Sequence, residues 1–130
     1  EDRIHVYAMN LLDERAMFPT ECHYDIIWMS QFLDCFSEAE VVGILNRVAT
    51  IMDETNRLYI METLWDRQKY TTAAFCLTMT SLYFSAMANG NSKMYNTDDM
   101  LRMIRQAGLR VEEIHDDIGM GGHSILIINK

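Results

Sequence analysis

The sequence has 130 residues, and its 11 Lys and Arg against 19 Asp and Glu give a formal net charge of −8. This length suits one domain and leaves no room for two ordinary ones. Hydrophobic residues make up 49% and charged residues 23%, a mixture typical of a globular domain rather than of a disordered chain. Because the basic residues are few and scattered, nucleic acid is not expected as a partner.

The cysteine pattern and the first residues bear on the cellular context. Cys22, Cys35 and Cys76 are an odd number at wide spacing, with no CxxC pair. This pattern predicts neither a disulfide framework nor a metal site and favours a reducing, cytoplasmic compartment. No signal peptide is visible and the sequence starts at Glu1 rather than at Met, so we expect a piece of a longer protein.

The first predicted elements are two strands. Residues 3–9 are expected to form a strand because Ile4, Val6 and Ala8 alternate with more polar residues. A loop containing a proline follows. The continuous apolar run of residues 25–29 is typical of a strand that is buried on both faces of a sheet.

The middle of the sequence predicts a helix, a strand and a second helix. Ser37 and Glu40 have the spacing of a capping box, and the helix that they open carries an apolar face as far as Met52. Residues 58–61 form a buried strand, with Glu62 at its C-terminal end. The next helix, residues 72–88, stops at Asn89-Gly90. The whole of residues 71–92 is uncharged but rich in Ser, Thr and Asn, which predicts a buried or pocket-lining helix rather than a membrane span.

The last part predicts one helix and two strands. Thr97 is expected to cap the helix, and Gly108 to follow its end in the left-handed conformation. Residues 111–118 and 124–128 read as strands with no helix between them, so an antiparallel hairpin through the loop of residues 120–122 is expected. The alternation of strands and helices before the hairpin predicts an α/β fold with a mostly parallel sheet.

The sequence resembles the class I S-adenosylmethionine-dependent methyltransferases, and within them the small-molecule O-methyltransferases that carry an N-terminal dimerisation domain. The order and spacing of several motifs carry the resemblance. They are DIIWMSQFLDCFSE from Asp25 to Glu38, the helix end Ile-Leu-Asn-Arg at residues 44–47, LYIME from Leu58 to Glu62, QAGL from Gln106 to Leu109, and GHSI from Gly122 to Ile125.

The resemblance implies a partial Rossmann-like methyltransferase sheet. Residues 1–130 would form the C-terminal portion of a catalytic domain, from its third strand to its seventh. The Gly-rich loop that holds the cofactor and the acidic residue that binds its ribose have no counterpart in these residues. The implied function is transfer of a methyl group from S-adenosyl-L-methionine to a small-molecule acceptor, at a hydroxyl group, as part of a longer parent chain.

Two carboxylates are implied as catalytic residues. Asp34 stands where plant-type members have the His that takes the proton from a phenolic hydroxyl, and Glu62 matches the acidic residue that orients this base. A carboxylate with an ordinary pKa near 4 is a weaker base than His unless burial raises it. The alternative for Asp34 is a structural residue that orders the nearby loop.

Further residues are implied for the cofactor and the acceptor. Asn10 and Leu11 match the pair that meets the adenine, and Ser30 replaces a cofactor-site Lys; the alternative for Asn10 is an ordinary turn. Phe75 and Met79, on a helix that lines the acceptor site in the family, are substrate-pocket candidates. Tyr95 is a third such candidate, at the position of a supporting acid. No metal site is expected.

A different reading of the sequence is a non-catalytic fragment that associates with itself. In the family's sheet order, the third and fourth strands are separated by two strands that these residues lack. Unpaired strand edges are templates for pairing with another chain. A homodimer or higher homo-oligomer is therefore expected, joined through the first two predicted strands.

Overall fold

The computed structural model describes residues 3–88, 90–120 and 122–130. The predicted positions Glu1, Asn89 and Gly121 lie outside this part. Two short 3-10 turns, Leu33–Cys35 and Trp65–Arg67, follow the first two strands. The helices and longer strands are, in chain order, β1 (Ile26–Ser30), α1 (Glu38–Thr50), β2 (Arg57–Glu62), α2 (Thr71–Met87), α3 (Thr97–Gln106), β3 (Arg110–Ile118) and β4 (His123–Asn129).

The four strands form one mixed sheet in the order β1-β2-β4-β3. β1 and β2 are parallel, and β4 lies antiparallel to both of its neighbours. Three strands therefore run in the same direction, while β4 runs against them. The predicted α/β class with a C-terminal antiparallel hairpin is confirmed, and the parallel pairing in the described sheet is that of β1 with β2.

The core lies between one face of the sheet and helices α1 and α3. Alternate residues of the central strands are fully buried and face each other across the ladder, Leu58 against Ile128 and Ile60 against Leu126. Each such side chain contributes about 1.5–3 kcal/mol when it leaves water. The helices cover this face with Val41, Ile44, Leu45 and Val48 of α1 and with Met100, Met103 and Ile104 of α3.

The local signals at the helix ends are mostly confirmed. Ser37 and Glu40 form the predicted capping box, and Gly108 has φ +73° at the end of α3. The cap of α3 is Asn96 rather than Thr97, since the Asn96 side chain accepts from the backbone N–H of Asp99 at 2.7 Å. An amide oxygen caps as well as a hydroxyl, and moving the cap back by one residue makes Thr97 the first helical residue.

The predicted strand at residues 3–9 is wrong, because the structure leaves this segment without regular structure. Ile4 is 82% exposed and Val6 91%. Alternation of apolar and polar residues stabilises a strand only when a neighbouring strand supplies hydrogen bonds and a surface to cover. The described chain supplies neither to this segment.

Two expectations about burial are also wrong. β1 is an edge strand, not one buried on both faces: Ile26 is 61% exposed and Trp28 53%, and only Met29 is buried. Helix α2, expected to be buried or to line a pocket, has no buried residue, so the burial alternative is wrong and the pocket-lining one stays a prediction. An apolar sequence shows that a segment has side chains suited to burial, but burial needs another element to pack against them. The described part of the chain has no such element over the exposed faces of β1 and α2.

Candidate active site

Glu62 reaches the interior because it continues the buried register of β2. Residues 58, 60 and 62 alternate onto the face that α1 and α3 cover, so the carboxylate of Glu62 points to the same side as Leu58 and Ile60. The residue is 3% exposed. Its Oε1 atom accepts the backbone N–H groups of Phe32 at 2.9 Å and Leu33 at 2.8 Å. A carboxylate at the C-terminal end of one strand therefore holds the turn that follows the neighbouring strand.

The pKa of Glu62 rises from an ordinary 4.5 to about 7. Burial is the main cause, because a carboxylate that is removed from water loses its hydration. The N–H of Phe32 opposes this effect, whereas the negative charge of Asp34 adds to it. A carboxyl group that titrates near neutrality is typical of functional sites, although structural networks also perturb pKa values.

Asp34 lies in the 3-10 turn that Glu62 holds, and its side chain is partly exposed. Its backbone carbonyl accepts the N–H of Lys93 at 3.0 Å, and its carboxylate lies 3.6 Å from the Sγ of Cys35. Burial and the charge of Asp34 raise the pKa of the Cys35 thiol. The structure thus brings the two predicted catalytic residues together, but the contact runs from Glu62 to the backbone of the turn rather than between two side chains.

The three substrate-pocket candidates occupy different surroundings. Tyr95 is 2% exposed, and its hydroxyl donates to the carbonyl of Phe36 at 2.6 Å. Burial and the nearby charge of Glu38 raise the pKa of this hydroxyl. Phe75 and Met79 are exposed on α2. Tyr95 therefore supports the chain after the Asp34 turn, and only the two α2 side chains are free to meet a ligand.

Two of the three cofactor candidates, Leu11 and Ser30, line a groove of about 1020 Å³. Asn10 does not line it. The Asn10 side-chain oxygen accepts the N–H of Leu12 at 3.1 Å, and its carbonyl accepts the N–H of Asp13 at 3.2 Å. These contacts are those of an ordinary turn, although a carbonyl oxygen has a second lone pair with which to meet an adenine amine.

The groove follows the edge strand β1. All five residues of β1, from Ile26 to Ser30, line it, together with residues of the segment before Tyr24 and with Ile44 and Val48 of α1. Its volume is at the upper end of the range of small-molecule sites. A groove beside an edge strand offers both an apolar surface and backbone hydrogen-bonding groups.

Arg47 is a buried polar residue that the sequence analysis did not single out. It lies on the apolar face of α1, between Ile44 and Val48, and is 7% exposed. Its two terminal nitrogens donate to the backbone carbonyls of Leu11 and Asp13. An arginine at a position where the helical period calls for an apolar side chain was the signal that could have found it.

Three further features of the described residues bear on membrane spanning, metal binding and disulfides. Its helices include none long and apolar enough to cross a membrane. Within the same residues, no group of three or more His, Cys, Asp and Glu side chains could hold a metal ion. The three cysteines are unpaired and exposed.

Solved structures of small-molecule methyltransferases have this fold. The chain superposes on mitomycin 7-O-methyltransferase (MmcR) with a TM-score of 0.77 and 22% identity, over 99% of this chain and 34% of that one. It also matches an O-methyltransferase of neocarzinostatin biosynthesis, solved with S-adenosyl-L-homocysteine and 1,4-dihydroxy-2-naphthoic acid, with a TM-score of 0.69 and 17% identity over 93% of this chain and 32% of that one. A pericyclic reaction enzyme matches with a TM-score of 0.68 and 14% identity, over 81% of this chain and 26% of that one.

These similarities define the fold and the extent of the match. No family model and no curated protein matches the sequence. The chain spans about a third of the length of the two O-methyltransferases. It has part of the Rossmann-like fold of the small-molecule O-methyltransferases, as the sequence resemblance predicted.

Proposed function

We propose that residues 1–130 are the C-terminal portion of the catalytic domain of a longer S-adenosylmethionine-dependent methyltransferase, which methylates a hydroxyl group of a small molecule. The observation that carries this proposal is the buried carboxylate of Glu62, which holds the turn of Asp34 at the C-terminal ends of two parallel strands. Ligands of α/β sheets bind at that end of the strands. The fold shared with O-methyltransferases supports the same reaction class.

In this proposal Asp34 is the base and Glu62 its positioning residue. When bound, the cofactor supplies an electrophilic methyl group. The partly exposed carboxylate of Asp34 can meet an acceptor hydroxyl and take its proton as the oxygen attacks. Glu62, at 3% exposure, lies too deep to meet the acceptor itself. Its contribution is to fix the amides of Phe32 and Leu33 and hence the direction of the Asp34 side chain.

The described residues also fit the two ligands. Leu11 and Ser30 line the groove beside β1, and Asn10 keeps a lone pair for the adenine amine. Phe75 and Met79 offer an apolar, adaptable surface that suits a flat acceptor. The neocarzinostatin enzyme was solved with a dihydroxynaphthoic acid, so planar phenols of that class are the first acceptors to test.

The test starts from the gene. The upstream coding sequence is expected to encode a Gly-rich strand–loop–helix before Glu1, and the intact mass of the natural protein is expected to exceed 15.1 kDa. The longer protein should then transfer a labelled methyl group from S-adenosyl-L-methionine to 1,4-dihydroxy-2-naphthoic acid or a related phenol. A natural protein that ends at these 130 residues, or a longer one that binds no S-adenosyl-L-methionine, would contradict the proposal.

A second candidate function is a non-catalytic chain that associates with itself. The open edge of β1, with Ile26 and Trp28 largely exposed, favours it. In a longer parent, a strand of the remaining sheet would pair with the backbone of this edge; in the isolated chain, a second copy would pair with it. With three unpaired cysteines, either form suits a reducing, cytoplasmic compartment.

A further inference from the structure

Arg47 is a buried cation whose acceptors all belong to one loop. Its Nη atoms donate to the carbonyls of Leu11 and Asp13, and its Nε is buried without an acceptor among the described atoms. A charge that is taken out of water destabilises a fold unless it has hydrogen-bonding partners. Arg47 can therefore remain buried only while this loop keeps its two carbonyls beside the guanidinium.

The loop is a turn that residues 10–16 close by local bonds. Asp13 N–H donates to the Asn10 carbonyl at 3.2 Å, and Ala16 N–H to the Asp13 carbonyl at 3.0 Å. Leu12 and Arg15 are largely exposed. In the described structure, the two bonds from Arg47 are the hydrogen bonds that tie this turn to α1.

We infer that Arg47 is a positioning residue that fixes the turn of residues 10–16, and through it the Asn10 and Leu11 groups that would meet the cofactor's adenine. This inference rests on the proposed function. The planar guanidinium presents two donors in a fixed fork, which matches two carbonyls two residues apart. A lysine in its place carries all its donors on one nitrogen, without the fixed fork that matches both carbonyls at once.

Hydrogen exchange on the 130-residue chain tests, without any ligand, whether Arg47 fixes the turn of residues 10–16. In Arg47→Met, the amides of residues 12–16 are expected to exchange on the order of tenfold faster, since the turn loses the two bonds that Arg47 donates to the carbonyls of Leu11 and Asp13 and opens more often. Arg47→Lys should lie between Arg47→Met and wild type. Arg105→Met, at an exposed arginine of α3, is the matched control and should leave these amides unchanged. The amides of β2 report whether each variant folds.

Titration with S-adenosyl-L-homocysteine, followed by NMR up to millimolar concentrations, tests the link to the cofactor. In wild type the shifts should fall on residues 10–12, and Arg47→Met should weaken the apparent affinity on the order of tenfold, with partial rescue by Arg47→Lys. A merely structural role would not move this affinity while β2 stays protected. If the β2 amides of Arg47→Met lose their protection, the affinity of Arg47→Lys is compared with that of wild type instead.

Three results would overturn the inference, and they separate its parts. Equal exchange rates at residues 12–16 in wild type and Arg47→Met would show that Arg47 does not fix the turn, whatever the function of the protein. Faster exchange with unchanged ligand affinity would remove the positioning role. If the ligand causes no chemical-shift changes at residues 10–12 in wild type, these residues do not meet the adenine. Both this inference and that part of the proposed function would then fail, even where hydrogen exchange confirms that Arg47 fixes the turn.

Discussion

Replacing Glu62 by Gln should change how stability depends on pH. The folded chain holds this carboxyl with a pKa of about 7, against an ordinary 4.5. The folded state therefore binds the proton more tightly than the unfolded state. Stability from this group is fully present below about pH 4.5 and is lost as pH rises to about 7. At about 1.4 kcal/mol per pKa unit, the whole difference is about 3 kcal/mol.

Gln keeps the shape of the side chain and an oxygen that can accept from the amides of Phe32 and Leu33, but it does not ionise. Between pH 5 and pH 8, the free energy of unfolding of wild type should therefore fall by roughly 2–3 kcal/mol relative to that of Glu62→Gln. Groups common to both proteins cancel in this comparison. Urea unfolding followed by circular dichroism at several pH values gives the two profiles.

The matched control is Glu54→Gln, which makes the same chemical change at an exposed carboxylate in the turn before β2. Its profile should run parallel to that of wild type. Parallel profiles for wild type and Glu62→Gln, within about 0.5 kcal/mol over this pH range, would show that Glu62 does not carry the raised pKa. The reasoning from burial and from the charge of Asp34 would then be refuted.

Three further predictions concern the helix cap, the sheet edge and the cofactor. Ser37→Ala should lower the free energy of unfolding by about 1 kcal/mol, because it removes the side-chain acceptor of the capping box; no loss in urea unfolding would contradict this. At tens of micromolar the chain should form a dimer or higher oligomer through β1, and a monodisperse 15.1 kDa species in light scattering would show that the edge is covered within one chain. The isolated chain should bind S-adenosyl-L-methionine weakly, and low-micromolar affinity in calorimetry, about −8 kcal/mol, would refute that expectation.

The elements that the sequence predicts well are those whose stability is decided locally or within the core. The capping box at Ser37, the glycine at 108 and the buried alternation of β2 all carry their own signal. The segment of residues 3–9 has an equally regular pattern, yet it forms no strand, because pairing needs a neighbour that a single sequence does not specify. The same reason explains why the exposed edge of β1 could not be foreseen from its apolar composition.

The candidate site was predicted in part. Glu62 could be placed because it ends a predicted strand of a parallel sheet and matches the acidic residue that the family resemblance implies there. Its contact with the backbone of Phe32 and Leu33, rather than with the Asp34 side chain, depends on the path of the turn after β1, where Gln31 has φ +47°. Arg47 was missed because its partners are main-chain carbonyls, which leave no trace in the residue types of the loop.

The turnover of a longer protein that contains these residues decides whether Asp34 and Glu62 act in methyl transfer. With S-adenosyl-L-methionine and a phenolic acceptor, Asp34→Asn and Glu62→Gln are each expected to lower kcat by roughly 100-fold or more, and by more than they lower fold stability. Asp34→Asn removes the base, whereas Glu62→Gln disturbs its positioning. Turnover within about twofold of wild type for both variants would contradict the account and leave the two carboxylates as structural residues.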